Sequence, residues 1–244
     1  MEQARVTRCV NDVLDYKRKE SVKMRITSSY GMKLTGDLKA LEASIKLYRE
    51  ALQMLVPIVN EGWEMLSKYT FTKQKYRCIE NWIHNTKTNQ ALFDFDKQFS
   101  KFPSYLRRSA IVTAFGIVSS YRSNLANWKQ NPKGQVPQLS LTHYAYPAYY
   151  KGNLFKNFDP IQQTIELKVF KNGDWVYEQY GLKQSDCTYY QRYLAGKKQN
   201  VPIIQKRGCR FYATFSYEEN VPLIPEESIR KICAVDLGLG TDAT

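Results

Sequence analysis

The residues best suited to chemistry lie near the C-terminus, where the apolar run Ile232–Val235 is followed by Asp236, Gly238 and Gly240. The apolar run predicts a buried strand that ends at the carboxylate of Asp236. A carboxylate in that position is costly unless a partner neutralises it, and a divalent metal ion is a common partner. The glycines allow the backbone to turn and to approach a ligand closely. The segment therefore predicts a metal-binding site at Asp236, with Gly238 supporting its loop.

Two other interpretations of the Asp-x-Gly segment stay open from the residues alone. Asp and Gly are both favoured in turns, so the strand could simply end in a turn. The segment is also similar to the phosphate-binding Asp-x-Gly of actin-like ATPases, but there it opens a domain near the N-terminus of the chain. Asp236 instead follows more than two hundred residues of other sequence.

A basic and aromatic segment precedes the Asp236 strand. Lys206, Arg207 and Arg210 surround a predicted tight turn, and an aromatic strand over residues 211–217 leads into an acidic pair. A short spacer with two prolines then reaches the apolar run before Asp236. The order is therefore a basic hairpin, an aromatic strand, a spacer and a strand that ends in a carboxylate.

This order of segments over residues 205–244 resembles the transposon-encoded TnpB proteins and their descendants, the compact type V CRISPR effector nucleases. The resemblance implies that Asp236 is the first catalytic, metal-binding carboxylate of a RuvC nuclease site and that Mg²⁺ is the cofactor. That site also needs a glutamate, a second aspartate and usually a CxxC…CxxC zinc ribbon later in the sequence. The residues after Asp236 contain no glutamate and no cysteine, and we interpret their one aspartate, Asp242, as a turn residue, so we expect no zinc site and no nuclease activity from this chain alone.

The composition is strongly basic and rich in aromatic residues. A net charge of +13 and a pI near 9.4 favour polyanionic partners. Eighteen Tyr, eleven Phe and four Trp provide flat faces on which unpaired bases can stack, although most aromatic residues fill cores. The segment 142–151 contains four tyrosines together with a histidine and a lysine, a mixture that a buried core does not readily explain. It therefore predicts nucleic-acid contact at Tyr144 and Tyr146.

A long helix that begins near Pro103 predicts a second basic surface. Its apolar stripe contains Leu106, Ala110, Ala114, Ile117, Tyr121, Leu125 and Trp128. Four basic residues lie outside that stripe, namely Arg107, Arg108, Arg122 and Lys129. Such a row is usually a solvated face, but in a protein this basic it also predicts a phosphate-facing groove.

The order of predicted strands and helices indicates an α+β fold. A strand with one basic face is followed by helices, one of them with an apolar stripe from Leu38 to Val59, and then by hairpins at Asn172-Gly173 and Arg207-Gly208. We therefore expect a small β-barrel, wedge- or OB-like, interrupted by a helical recognition insertion and followed by the first strand of an RNase H-like RuvC domain.

This organisation divides the chain into five segments. We expect a leader (1–21), the first barrel strand (22–36), the helical recognition insertion (37–131), the remainder of the barrel (132–220), and a linker with the start of a truncated RuvC domain (221–244). No apolar run is long enough for a membrane span, and the five scattered cysteines show no CxxC spacing. The plain expectation is a cytoplasmic protein with reduced thiols, encoded by a prokaryote, a phage or another mobile element.

The resemblance implies an RNA-guided DNA endonuclease. A guide RNA and target DNA are its expected partners, and a C-terminal nuclease half or a second copy of the chain is a further candidate partner. Pairing with the guide would read most of the target, and Mg²⁺ ions would support hydrolysis. Two alternatives stay open: a cleavage-deficient guide-RNA and DNA-binding module, truncated or split, and an unrelated basic RNA-binding protein.

Overall fold

The structure is a computed structural model that describes residues 23–140 and 145–222. The predicted leader, Tyr144, and the segment that holds Asp236 and Gly238 lie outside the described residues.

Helices and strands alternate in blocks along the chain. The elements are β1 (Lys23–Thr35), α1 (Lys39–Glu61), α2 (Trp63–Ser67), α3 (Thr72–Ile83), α4 (Phe95–Gln98), α5 (Ser104–Gln130), β2 (Phe155–Asp159), β3 (Thr164–Lys171), β4 (Asp174–Leu182), α6 (Gln184–Tyr193), β5 (Lys198–Gln199), β6 (Ile203–Arg207) and β7 (Arg210–Pro222). Five helices therefore lie between the first and second strands of the described chain. The predicted α+β class is confirmed.

The strands form one curled antiparallel sheet, a half-barrel rather than a closed barrel. The strand order is β2-β3-β4-β1-β7-β5, and β6 pairs with β7 beside β5. Because β1 lies between β4 and β7, the strand that precedes the helices sits in the middle of the sheet. The helical segment is thus an insertion between a central strand and an edge strand.

Both hairpins predicted from glycine-containing turns are confirmed. In the first, Lys171 pairs with Asp174, and Asn172 and Gly173 adopt φ values of 52° and 81°. Two consecutive positive φ values define the turn that matches the twist of a two-residue hairpin. In the second, Arg207 pairs with Arg210, which places three basic residues around one turn.

The core forms where α1 packs against α5 and against β3. The apolar stripe predicted for α1 is buried from its first turn to its last, at Leu41, Ile45, Tyr48, Leu52, Leu55 and Val59. Polar groups join these layers. Ser44 Oγ accepts a 2.7 Å hydrogen bond from the Phe170 backbone N–H, and the Tyr48 hydroxyl lies 2.9 Å from Thr113 Oγ1. The helical insertion is therefore packed directly on the sheet.

Residues 29–217 form one compact unit that contains this core. The second unit contributes residues 23–28 and 218–222 to the described chain, and within it Arg25 Nη1 lies 3.9 Å from Glu218 Oε2. Across the described residues, the helices are too short or too polar to cross a lipid bilayer.

Candidate nucleic-acid interface

A groove between α3 and α5 brings basic and aromatic side chains together, and we call it the helical groove. Its α3 wall is a single helix face, because residues three and four positions apart project from the same side. The groove has a volume of about 600 Å³. Its lining includes Lys73, Tyr76, Arg77 and Glu80 from α3, Arg108, Ile111 and Val112 from α5, and Tyr150.

Positive charge predominates among the groove side chains. Lys73, Arg77 and Arg108 accompany a single carboxylate, that of Glu80. Arg108 Nε lies 3.9 Å from Glu80 Oε1, and the Arg108 side chain is 53% exposed. An ion pair with that exposure contributes little to stability, because water screens it. Arg108 is therefore placed to exchange this contact for a stronger, charge-assisted hydrogen bond to a phosphate.

Aromatic rings surround the cationic groups. The Arg108 guanidinium lies 5.1 Å from the centre of the Tyr105 ring, and the Tyr105 ring lies 5.6 Å from the Tyr150 ring. Burial raises the pKa of the Tyr76 phenol, and the neighbouring Tyr150 raises it further. Neutral hydroxyl groups beside arginines provide hydrogen bonds to sugar and phosphate oxygens. The helical groove therefore combines charge, hydrogen-bond donors and flat apolar surface.

Arg107, which the sequence places in the basic row of α5, lies inside the protein instead. Its side chain is 6% exposed, and its guanidinium donates hydrogen bonds of 3.4 Å to Asp96 Oδ1 and to Glu80 Oε1. Asp96 Oδ2 in turn lies 2.7 Å from His84 Nδ1. The structure thus places Arg107 beside two carboxylates that its guanidinium neutralises, one of them the groove residue Glu80, rather than on the exposed face of α5.

The last two members of the predicted row lie further along α5. Arg122 donates hydrogen bonds of 2.9 Å from Nε to the Asn60 side chain and from Nη2 to the Asn60 backbone oxygen. It therefore ties α5 to the end of α1. Lys129 is exposed in the last turn of α5. The predicted row thus divides into one groove residue, one buried residue, one helix–helix contact and one exposed lysine.

A second basic cluster surrounds the β6–β7 hairpin. The Tyr146 hydroxyl donates to the Lys206 backbone oxygen, and the Arg49 guanidinium lies 4.8 Å from the centre of the Tyr146 ring. Lys206 forms an ion pair with Glu42. Arg207 donates to Gln205 and lies 5.3 Å from the Tyr212 ring. The structure therefore brings Tyr146 to the hairpin, as part of one cluster.

Three predicted site residues remain. Tyr144, Asp236 and Gly238 lie outside the described residues. Within residues 23–140 and 145–222, no group of three or more His, Cys, Asp or Glu side chains is arranged to hold a metal ion.

Four basic and aromatic residues of the groove were not predicted from the sequence as site residues: Lys73, Tyr76, Arg77 and Tyr150. The sequence does indicate that three of them share one helix face, because Lys73, Tyr76 and Arg77 are spaced by three and four residues. That spacing does not show which helix faces them, so the groove itself depends on tertiary packing.

The Aq_aa04 family model matches residues 26–171, and the chain belongs to the Aq_aa04 family. No curated protein matches the chain. The matched residues extend from β1 through the helical insertion to the end of β3, so they contain the whole helical groove. The β6–β7 hairpin and α6 lie after the matched residues.

Proposed function

We propose that this chain is the nucleic-acid-binding portion of an RNA-guided DNA nuclease of the TnpB or compact type V class. The helical groove would contact the sugar–phosphate backbone of the guide RNA or of its duplex with target DNA. The curled sheet with its basic hairpin would hold the guide RNA, in the role that the wedge barrel has in that class. In the complete site, Asp236 would be one of the carboxylates that bind Mg²⁺.

The observation that carries the proposal is the convergence of Lys73, Arg77 and Arg108 in one groove. Phosphate contacts supply much of the affinity of a protein for nucleic acid, and they require exposed cations in a shared surface. Arg108 meets that requirement because Glu80, its one ion-pair partner within residues 23–140 and 145–222, is also bound by Arg107. The groove therefore retains an excess of positive charge.

The position of the insertion supports the particular class of nuclease. The resemblance leads us to expect a small β-barrel interrupted by a helical insertion, and the helices here do interrupt a curled sheet, between its central strand β1 and its edge strand β2. Small curled sheets are frequent platforms for nucleic acids, although a fold by itself does not define a function. The groove and the sequence resemblance are therefore two separate lines of support.

Sequencing of co-purified RNA tests this function. We expect the protein, purified from cells that carry its native locus, to retain one discrete RNA of defined sequence. An Arg77→Glu/Arg108→Glu variant should retain much less of that RNA. A Lys87→Glu/Lys97→Glu variant is the matched control, because both lysines are exposed and neither lines the helical groove. Random RNA fragments, or no RNA, would contradict the guide-binding function.

A further inference from the structure

Three tyrosine rings, none of which lines the helical groove, lie in contact on the surface of residues 29–217, with one pair stacked and the next pair tilted. We call Tyr30, Tyr189 and Tyr193 the tyrosine stack. The Tyr30 and Tyr189 rings are 4.5 Å apart at an interplanar angle of 19°, and the Tyr189 and Tyr193 rings are 4.8 Å apart at 49°. Tyr189 and Tyr193 are four residues apart and therefore lie on one face of α6.

The base of the stack is held in place by Asp186. Asp186 Oδ2 accepts a 2.8 Å hydrogen bond from the Lys33 backbone N–H, and Oδ1 accepts a 3.4 Å hydrogen bond from the Tyr30 hydroxyl. Cys187 and Leu194 are buried beneath the helix. The inner ring and the helix are thus fixed to the sheet, whereas the outer rings extend from it.

The outer rings remain open to solvent, with Tyr189 42% exposed and Tyr193 53% exposed. Positive charge accompanies them: the Arg192 guanidinium lies 5.9 Å from the Tyr193 ring centre, and Lys183 is exposed immediately before α6. In a chain with a net charge of +13, these features favour a partner that carries both flat rings and negative charge. Unpaired nucleic acid has both, because its bases are free to stack on aromatic side chains.

We propose that the tyrosine stack binds single-stranded nucleic acid, with an unpaired base stacked on Tyr193 and the backbone near Arg192. Bases within a duplex already stack on each other, so this surface selects unpaired nucleotides over paired ones. The site rests on the proposed function only in taking a nucleic acid as the partner. It adds a second surface, on α6, that recognises bases where the helical groove recognises backbone.

Fluorescence anisotropy with labelled ten-nucleotide strands tests the stack. The probes are oligo-thymidine and an abasic strand of equal length, which keeps the phosphates and removes the bases. We expect the abasic strand to bind wild-type protein about 5- to 150-fold more weakly than oligo-thymidine, the range expected for one stacked base. Tyr193→Leu should weaken oligo-thymidine binding by a similar factor and leave abasic binding unchanged.

Tyr193→Phe is the matched control, since it keeps the aromatic ring and should bind like wild type. Circular dichroism should show that all variants are folded. If Tyr193→Leu and wild type bind oligo-thymidine equally, or if wild type binds both strands equally, the stack does not bind bases. Weaker binding after Arg77→Glu/Arg108→Glu with no effect of Tyr193→Leu would reject the stack and leave the proposed function standing. If neither variant affects binding, both proposals fail.

Discussion

The Arg107 guanidinium lies 3.4 Å from the Asp96 carboxylate inside the helical insertion, whereas the adjacent Arg108 side chain is 53% exposed in the helical groove. Consecutive residues of a helix point about 100° apart, so one arginine can serve the core while the next serves the surface. Arg107 neutralises Asp96 and Glu80, which are contributed by two earlier segments of the insertion. We therefore assign Arg107 to the stability of the groove and Arg108 to its function.

Replacement of Arg107 by Leu should destabilise the protein. Asp96 and Glu80 would lose a buried partner, and breaking such a pair costs up to about 3–5 kcal/mol when both groups are buried. The two carboxylates here are 33% and 25% exposed, so we expect a smaller loss of about 1–3 kcal/mol. Urea unfolding measures this free energy. Arg108→Leu is the control and should change stability by less than about 0.5 kcal/mol; equal losses would contradict the assignment.

Gly62 should be sensitive to a single methyl group. A Cβ at this position would lie 2.3 Å from Cη2 of Trp82, a rigid ring that cannot move away easily. We expect Gly62→Ala to lower the free energy of unfolding by about 1–3 kcal/mol through overpacking. Gly116 is a matched control within α5, because a Cβ there meets no atom within 4 Å. Gly116→Ala should stabilise the protein by up to about 1 kcal/mol. A loss at Gly116 or none at Gly62 would contradict this packing.

The protein should lose stability at alkaline pH through its buried tyrosines. Burial raises the pKa of the Tyr149 phenol well above its ordinary value of 10.0, and the nearby Tyr180 raises it further. At a pH between the ordinary pKa of the phenol and its raised pKa in the folded protein, Tyr149 is ionised in the unfolded chain and neutral in the folded chain. The contribution of Tyr149 to the free energy of unfolding is therefore complete below about pH 10. Above that pH it falls by up to about 1.4 kcal/mol per pH unit for one tyrosine.

Urea unfolding between about pH 8 and pH 11 tests whether the free energy of unfolding falls as the pH rises. Tyr149→Phe should reduce the slope above pH 10, because the phenol that ionises on unfolding is absent. The same variant loses the 3.1 Å hydrogen bond from Tyr149 to the Lys168 backbone oxygen, so its stability at neutral pH should be lower. An unchanged alkaline slope in Tyr149→Phe would show that Tyr149 does not cause the effect.

The sequence predicted local structure well because local structure depends on nearby residues. The Asn172-Gly173 turn and the stripe from Leu38 to Val59 are set by backbone preference and helical period. The turn is confirmed, and the stripe is buried from Leu41 onward, whereas Leu38 is partly buried just before the helix. The stripe of α5 was predicted less well. Its first half is buried, but Tyr121, Leu125 and Trp128 are only partly buried. Periodicity shows which residues share a face of the helix. It does not show how far along the helix the elements that cover this face extend.

The site was harder to predict than the fold. Arg107 looked like a surface residue because Asp96 and Glu80, its partners, lie 11 and 27 positions away in the sequence. The helical groove exists only because α3 packs beside α5, a contact that no local pattern encodes. Composition predicts a polyanionic partner, which stays a prediction, and the hairpin at Lys206 and Arg207 was recognisable from its turn. Only the tertiary structure shows which basic side chains lie on the same surface.

The salt dependence of heteroduplex binding tests the central claim most directly. For an RNA–DNA heteroduplex, the plot of log affinity against log salt should become shallower by about two in Arg77→Glu/Arg108→Glu, since each lost phosphate contact removes about one released counterion. Affinity should fall at least about tenfold. Lys87→Glu/Lys97→Glu makes the same change in net charge and should keep the wild-type slope. Equal slopes in all three proteins, or equal changes in both variants, would contradict a specific role for the helical groove.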